Sequence, residues 1–444
     1  KEIIKMFKET SKELLNFLSK SPTAFHAVEN YRQILNADGF KELLESEHWD
    51  IVPGGKYYVT RNNTSILAFK VGTKLDNYSF NIVTSHTDSP TFKVKENAEI
   101  EVKNKYTQLN TEGYGGMLCA TWLDRPLSIA GRVLVSEGNS IVTKLLNIDR
   151  DLLMIPNVAI HMNRAANDGF KYNLQVDMLP LLSGGDDRQK DFKQIIADEL
   201  GVKKEDILGH DLYLYNRMAP SIWGANEEFI SAGHLDDLQC GFASLKALLA
   251  GYNDESIDIM ACFDNEEVGS GTKQGADSTL LRDTLIRINN ALGKTEEDYH
   301  RALASSFMLS ADNAHAVHPN HPEHTDVTNC TYMNEGVVVK SHAGQKYTSD
   351  GVSMAVVKSL ASGADVPLQY FANRSDKAGG STLGNIAMAQ ASMNAVDIGL
   401  PQLAMHSSYE TAGIKDTYYA IALMKALFDS HIQETSTHSL EIKR

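Results

Sequence analysis

The chain has 444 residues and a formal net charge of −15, a length with room for roughly two to three domains and an acidic balance that disfavours nucleic acid and anionic membranes, since both need a basic face. With 42% hydrophobic and 22% charged residues, it has the composition of a globular protein with a sizeable core. No apolar stretch approaches the roughly 20 residues that span a bilayer, and Cys119, Cys240, Cys262 and Cys330 show no CxxC spacing, which reads as reduced thiols in a cytoplasmic protein.

The first segment, KEIIKMFKETSKELL, has an amphipathic helical pattern rather than the continuous apolar core of a signal peptide. Residues 1–40 alternate helical patterns with turn breaks, and KYYVT, SILAFKV and SFNIVTS read as strands. From residue 93 to 232 the texture changes. Strand-like EIEVK, SIAGRVLVSEGNSIVTKLL and VAIHM are separated by Gly, Asn and Asp turns, and SGGDDRQKDFKQIIADELGV reads as a loop feeding a helix. From 233 onward helices and strands alternate, with one long helical stretch expected over Ser278–Leu303. Such alternation suggests βαβ units. The simplest organisation is an α/β catalytic domain, residues 1–92 and 233–444, interrupted by an inserted, mainly β domain, residues 93–232.

The chemistry-bearing residues sit just after apolar runs. SIDIMACF is followed by Asp264, Glu266 and Glu267; NIVTS by His86 and Asp88; FMLSA by Asp312 and His315; LPQLAM by His406; and GHLDDLQCG opens a helix with Asp236 and Asp237. Strand ends converging on one crevice are where open α/β sheets do chemistry. His with Asp and Glu, without clustered Cys, is the donor set of a hydrolytic zinc site, and the same donors accept Mn²⁺ or Co²⁺. Spaced two apart on a strand end, Asp88 and His86 face the same side, so Asp88 is expected to orient the imidazole. Asp236 reads either as a helix N-cap or as a carboxylate shared by two ions. Helical spacing would put Asp312, His315 and His318 on one face. Two divalent cations would be neutralised by Asp236, Glu267, Asp312 and one hydroxide, with His86 and His406 completing the ligands. That leaves Glu266 as the general base that takes the proton of water.

Taken in order, SHTDSP, HLDD, DNEEVGSG, SADNAHAVHPN and MHSSYE resemble the motifs of the M18 aminopeptidases, the aspartyl aminopeptidase and aminopeptidase I group. The resemblance runs over essentially the whole chain. It implies a mixed-sheet zinc-peptidase domain with an inserted dimerisation or lid domain, a two-metal site, a tetrahedral homododecamer enclosing its active sites, and removal of N-terminal residues from peptides. It also implies that His86, Asp236, Glu267, Asp312 and His406 are the ligands, that Glu266 is the base and that Asp88 is the orienter. His161, in AIHMNRAAN, matches a histidine that reaches a neighbouring subunit's site and has also been read as a zinc ligand. Lys340 and Tyr347 match positions that contact an acidic substrate side chain, and His315 is placed beside them.

The region around those two residues departs from the family. Eukaryotic members read close to VKVNSKQRYAS where this chain has VVKSHAGQKYTS, so Ser341, His342 and Gly344 differ and Lys346 replaces an Arg. Acidic N-terminal residues are therefore a leaning, with neutral, apolar residues as the alternative. A deacylase on the same architecture would act on N-blocked substrates instead. A catalytically silent shell would have lost some of the site residues, and all are present.

Overall fold

The computed structural model describes residues 2–444. Its centre is a nine-stranded mixed sheet. From one edge, the strands are Lys41–Leu43, Lys56–Arg61, Ser65–Val71, Ser256–Phe263, Ser79–His86, Phe307–Ala311, Asn394–Gly399, Val337–Lys340 and Leu368–Phe371. The inner four, from Ser256–Phe263 to Asn394–Gly399, run parallel. Every residue of Ser79–His86 and Ser256–Phe263 is buried, which is why these strands lack polar alternation: both faces of the sheet are covered.

One face packs against helices Glu2–Ser19, Ala24–Ala37, Leu235–Ala250, Gly351–Gly363 and Asp416–Phe428. The other packs against Leu280–Ala291, Glu296–Ala304 and Gly384–Gln390. Fully buried Phe80, Phe263 and Phe307 lie in these cores, each side chain contributing about 1.5–3 kcal/mol by its burial.

A six-stranded antiparallel sheet, in the order Ser140–Asn147, Leu127–Glu137, Ile207–Asn216, Thr91–Val102, Tyr106–Tyr114 and Leu181–Gly184, builds a separate core around Phe92, Trp122, Phe192 and Leu212. Sheet membership changes after Asn216. Strands Ser221–Trp223 and Phe229–Ala232 join Glu410–Gly413, Pro401–Leu403 and Ala314–His315 in a five-stranded sheet. Residues 221–232 thus pair with the second half of the chain rather than with the 93–232 stretch to which their composition assigned them.

Three local expectations are corrected. The stretch Ser278–Leu303 is two helices, broken where Gly293 takes φ +72° and Thr295 starts the second with a capping box. VAIHM, residues 158–162, is loop and turn rather than strand: the Ala159 carbonyl accepts the Met162 N–H at 2.8 Å and the Asn163 N–H at 3.1 Å, which closes a turn. Asp312 and His315 lie on extended chain, not a helix: Ala314–His315 pairs in parallel with Pro401–Gln402. No described helix is long and apolar enough to cross a membrane.

Candidate active site

His86 is the last residue of its strand, and Asp312 directly follows Phe307–Ala311. After Ser256–Phe263, Asn265 turns the chain with φ +62° into a short 3₁₀ turn, Glu266–Val268, a left-handed conformation that Asn adopts more readily than most residues. Asp236 and Asp237 occupy the first turn of Leu235–Ala250 with non-helical dihedrals, and the peptide between them is cis. His406 comes from the loop between Pro401–Leu403 and Glu410–Gly413, again at positive φ, +68°.

These side chains meet in one cleft. Asp236 stands between the two histidines, its Oδ1 3.4 Å from His86 Nε2 and its Oδ2 3.2 Å from His406 Nε2. Asp312 Oδ1 lies 3.7 Å and Glu266 Oε2 3.8 Å from His86 Nε2, while Glu267 Oε1 lies 3.3 Å from His406 Nε2. Donor atoms of Asp236, Glu267 and His406 all fall within 4.8 Å of one another, as do those of His86, Glu266 and Glu267 and of His86, Asp237 and Asp312. His86 Nε2, Asp236 Oδ1, Asp237 Oδ1 and Glu267 Oε1 are buried with no hydrogen-bond partner. Buried polar atoms are normally satisfied, so the convergence of His86 Nε2, Asp236 Oδ1 and Glu267 Oε1, hard and borderline donors, is what a cation site requires, and they fit zinc.

The electrostatics agree. Burial, with nearby Asp312 and Glu267, pushes Glu266 up to about 9 despite His86. Burial also lifts Glu267 to about 7 and raises Asp312. Asp236 is buried as well, yet His406 and His86 hold it below the ordinary carboxylate range. Burial opposes protonation of His406, but Asp236 and Glu267 outweigh it and carry the imidazole to about 11. So many close carboxylates, without cations, force protons onto the site.

The supporting groups are less obvious in the sequence. His86 Nδ1 lies 3.0 Å from the Asp88 carbonyl oxygen and 3.3 Å from its carboxylate. That carboxylate mainly accepts the backbone N–H groups of Glu266 and Glu267, at 3.2 and 3.1 Å, and the Tyr114 hydroxyl at 2.7 Å. Asp88 thus orients the Glu266–Glu267 turn at least as directly as it orients His86. His406 Nδ1 lies 2.8 Å from the Gly116 carbonyl oxygen, a contact from the inserted segment that aims Nε2 at the cleft. Glu410 accepts the N–H of Asp236 at 3.0 Å and of His406 at 2.9 Å. Glu410 went unnoticed in the sequence; its one signal is burial in MHSSYE, which spacing cannot show. Asp237 accepts the His86 N–H at 3.1 Å.

The cleft, about 250 Å³, extends past Asp312 to His315, Lys340, Tyr347, Phe371 and Met405. Lys340 is buried, its Nζ donates to the Asn313 carbonyl at 2.9 Å, and it lies 5.7 Å from the Tyr347 ring centre. Burial works against its charge, but Asp312 and Tyr347 more than restore it. His161 is not brought to this cleft within the chain; it lies exposed among the turns of the inserted segment.

This class of site, a His and carboxylate cluster at the ends of parallel strands, is that of a metal-dependent hydrolase. The family model for the aminopeptidase I zinc metalloproteases (M18) matches residues 17–428. A probable M18 family aminopeptidase 2 of Clostridium novyi is 47% identical over 423 residues, 94% of this chain and 98% of that protein. Its Clostridium acetobutylicum counterpart is 48% identical over 417 residues, 93% of this chain and 96% of that protein. Among solved structures, the complex of Ape4 and Nbr1 contains a chain with a TM-score of 0.92 and 34% identity, over 96% of this chain and 86% of that one. The mApe1 dodecamer of S. cerevisiae matches with a TM-score of 0.83 and 28% identity, over 95% and 97%. The chain belongs to the M18 family: it is a zinc metalloaminopeptidase, a hydrolase.

Proposed function

We propose that the chain removes N-terminal residues from peptides at a site for two divalent ions, with acidic first residues preferred. The convergence of the unpartnered His86 Nε2, Asp236 Oδ1 and Glu267 Oε1 carries the metal reading. His86 and Asp312 would hold one ion and Glu267 and His406 the other, with Asp236 shared, because its two oxygens face the two histidines. Bound metal supplies Lewis acidity toward the scissile carbonyl and acidifies water.

Glu266 is free of such duty and faces the same space. Its raised affinity for a proton suits a general base that accepts one from water and returns it to the leaving amine. Asp88 holds the turn that aims Glu266 through the two backbone N–H groups.

The acidic preference rests on Lys340, the one Lys or Arg among the described residues that lines the cleft. A buried cation favours an anionic side chain. Phe371 and Met405, which line the same cleft, favour the second reading, a neutral, apolar first residue. Comparing kcat/KM for Asp-, Glu- and Leu-aminoacyl substrates, free and N-acetylated, separates these. Preference for free Asp or Glu supports the proposal, preference for free Leu replaces the specificity, and turnover of only acetylated substrates overturns the aminopeptidase assignment.

Self-association is part of this proposal. The yeast mApe1 relative is a dodecamer, and His161, exposed among turns, would reach a second copy's cleft in such an assembly. Mass measurement in solution tests the assembly. His161→Ala should lower kcat only where copies associate.

A further inference from the structure

We propose that His321, Glu323 and His324 form a second, surface metal site, for one borderline transition-metal ion such as Zn²⁺, Ni²⁺ or Cu²⁺. The segment AVHPNHPEHT follows the cleft residue His315 and takes no part in the catalytic cluster. It folds as consecutive tight turns, with the His321 N–H donating to the His318 carbonyl at 3.0 Å and the His324 N–H to the His321 carbonyl at 3.2 Å. Pro322 opens the 3₁₀ turn Pro322–His324. At three residues per turn, side chains three apart eclipse one another. His321 and His324 accordingly stack, ring centres 5.3 Å apart and 28° from parallel, while His318 lies 5.4 Å from His321 with its ring tilted by 38°. Glu323 Oε1 sits between the last two, 3.1 Å from His321 Nδ1 and 4.0 Å from His324 Nε2.

One donor atom from each of these three residues falls within 4.8 Å of the others. Two imidazoles and a carboxylate make up a common transition-metal donor set, and water can complete the coordination. The turn is held in place. The Arg374 guanidinium donates to the Glu323 carbonyl, and its charge is met by Asp376 at 2.9 Å on two nitrogens. The Arg374 charge is therefore already met. The prolines restrict the backbone before any ion arrives, which lowers the ordering cost of binding. All three donors are exposed, so an ion can enter without unfolding and exchange freely.

The test is Zn²⁺ uptake by the metal-stripped full chain, measured by competition with a chromophoric chelator. Wild type should bind one ion per chain more than H321Q/H324Q, and Glu323→Gln should weaken that extra ion about tenfold. A variant lacking catalytic donors, H86A/H406A, should keep the extra ion, so failure of the two-ion reading of the active site would leave this result standing. Equal stoichiometry and affinity in wild type and H321Q/H324Q, with equal melting temperatures, would overturn the proposal.

Discussion

Glu410 accepts the backbone N–H of Asp236 at 3.0 Å across 174 positions of sequence. Its other oxygen takes the N–H of His406, so one buried carboxylate sets the position of two residues that face the same space. Groups of this kind that position metal ligands typically contribute about 10–100-fold to metal affinity or activity. Glu410→Gln keeps the shape but places an amide N–H against one of two donors. It should weaken metal affinity and lower kcat/KM by about that factor, as read by metal titration alongside kinetics. A variant with unchanged metal affinity would remove Glu410 from the support of the site.

Glu266→Gln should retain metal and fold while losing about 10²–10⁴ in kcat, the range for general acid–base catalysis. Metal content and rate measured on the same preparation check this. Near wild-type turnover would end the assignment of Glu266 as base.

Lys340→Met should reduce the Asp-to-Leu ratio of kcat/KM about tenfold or more, from loss of a charge-assisted contact. The ratio is the proper readout, because Lys340 also ties down the Asn313 carbonyl and its loss will slow both substrates.

Chelation should abolish activity and lower the melting temperature, since the carboxylates around Asp236 then repel one another. Restoring an ion at a hundredfold excess over its Kd should return about 2.7 kcal/mol. Calorimetry with and without chelator provides the comparison; an unchanged melting temperature would argue against a tightly held ion.

Away from the site, His26 is held near pKa 4 by burial, against a smaller upward pull from Glu29. Its Nδ1 lies 2.8 Å from the Thr23 hydroxyl that caps helix Ala24–Ala37. The folded value lies below the unfolded one, so the folded state binds fewer protons. The His26 contribution to stability is present above pH 6.5 and is lost as pH falls from 6.5 toward 4, by up to about 3 kcal/mol. His26→Gln should flatten that part of the stability profile; an unchanged acid slope would assign the decline to other groups.

The buried strands and most helices were legible because apolar continuity and period are local properties, and Ser79–His86 and Ser256–Phe263 fall where their apolar runs predict. The long helix over Ser278–Leu303 was not, since the period continues through Gly293 while a positive φ there breaks the chain. The edge of the inserted segment was not either: Phe229–Ala232 is assigned by its pairing with Glu410–Gly413, almost two hundred residues away in sequence. The candidate donors His86, Asp236, Glu267, Asp312 and His406, and the candidate base Glu266, were nameable from sequence because acids and imidazoles after apolar strands are costly without a purpose. Only the tertiary structure decided that Asp236 divides its oxygens between the two histidines, that Asp88 grips the Glu266–Glu267 turn, and that Glu410 holds the arrangement from behind. Composition and spacing specify which groups can bind or donate; the direction of each hydrogen bond depends on backbone that distant segments bring together.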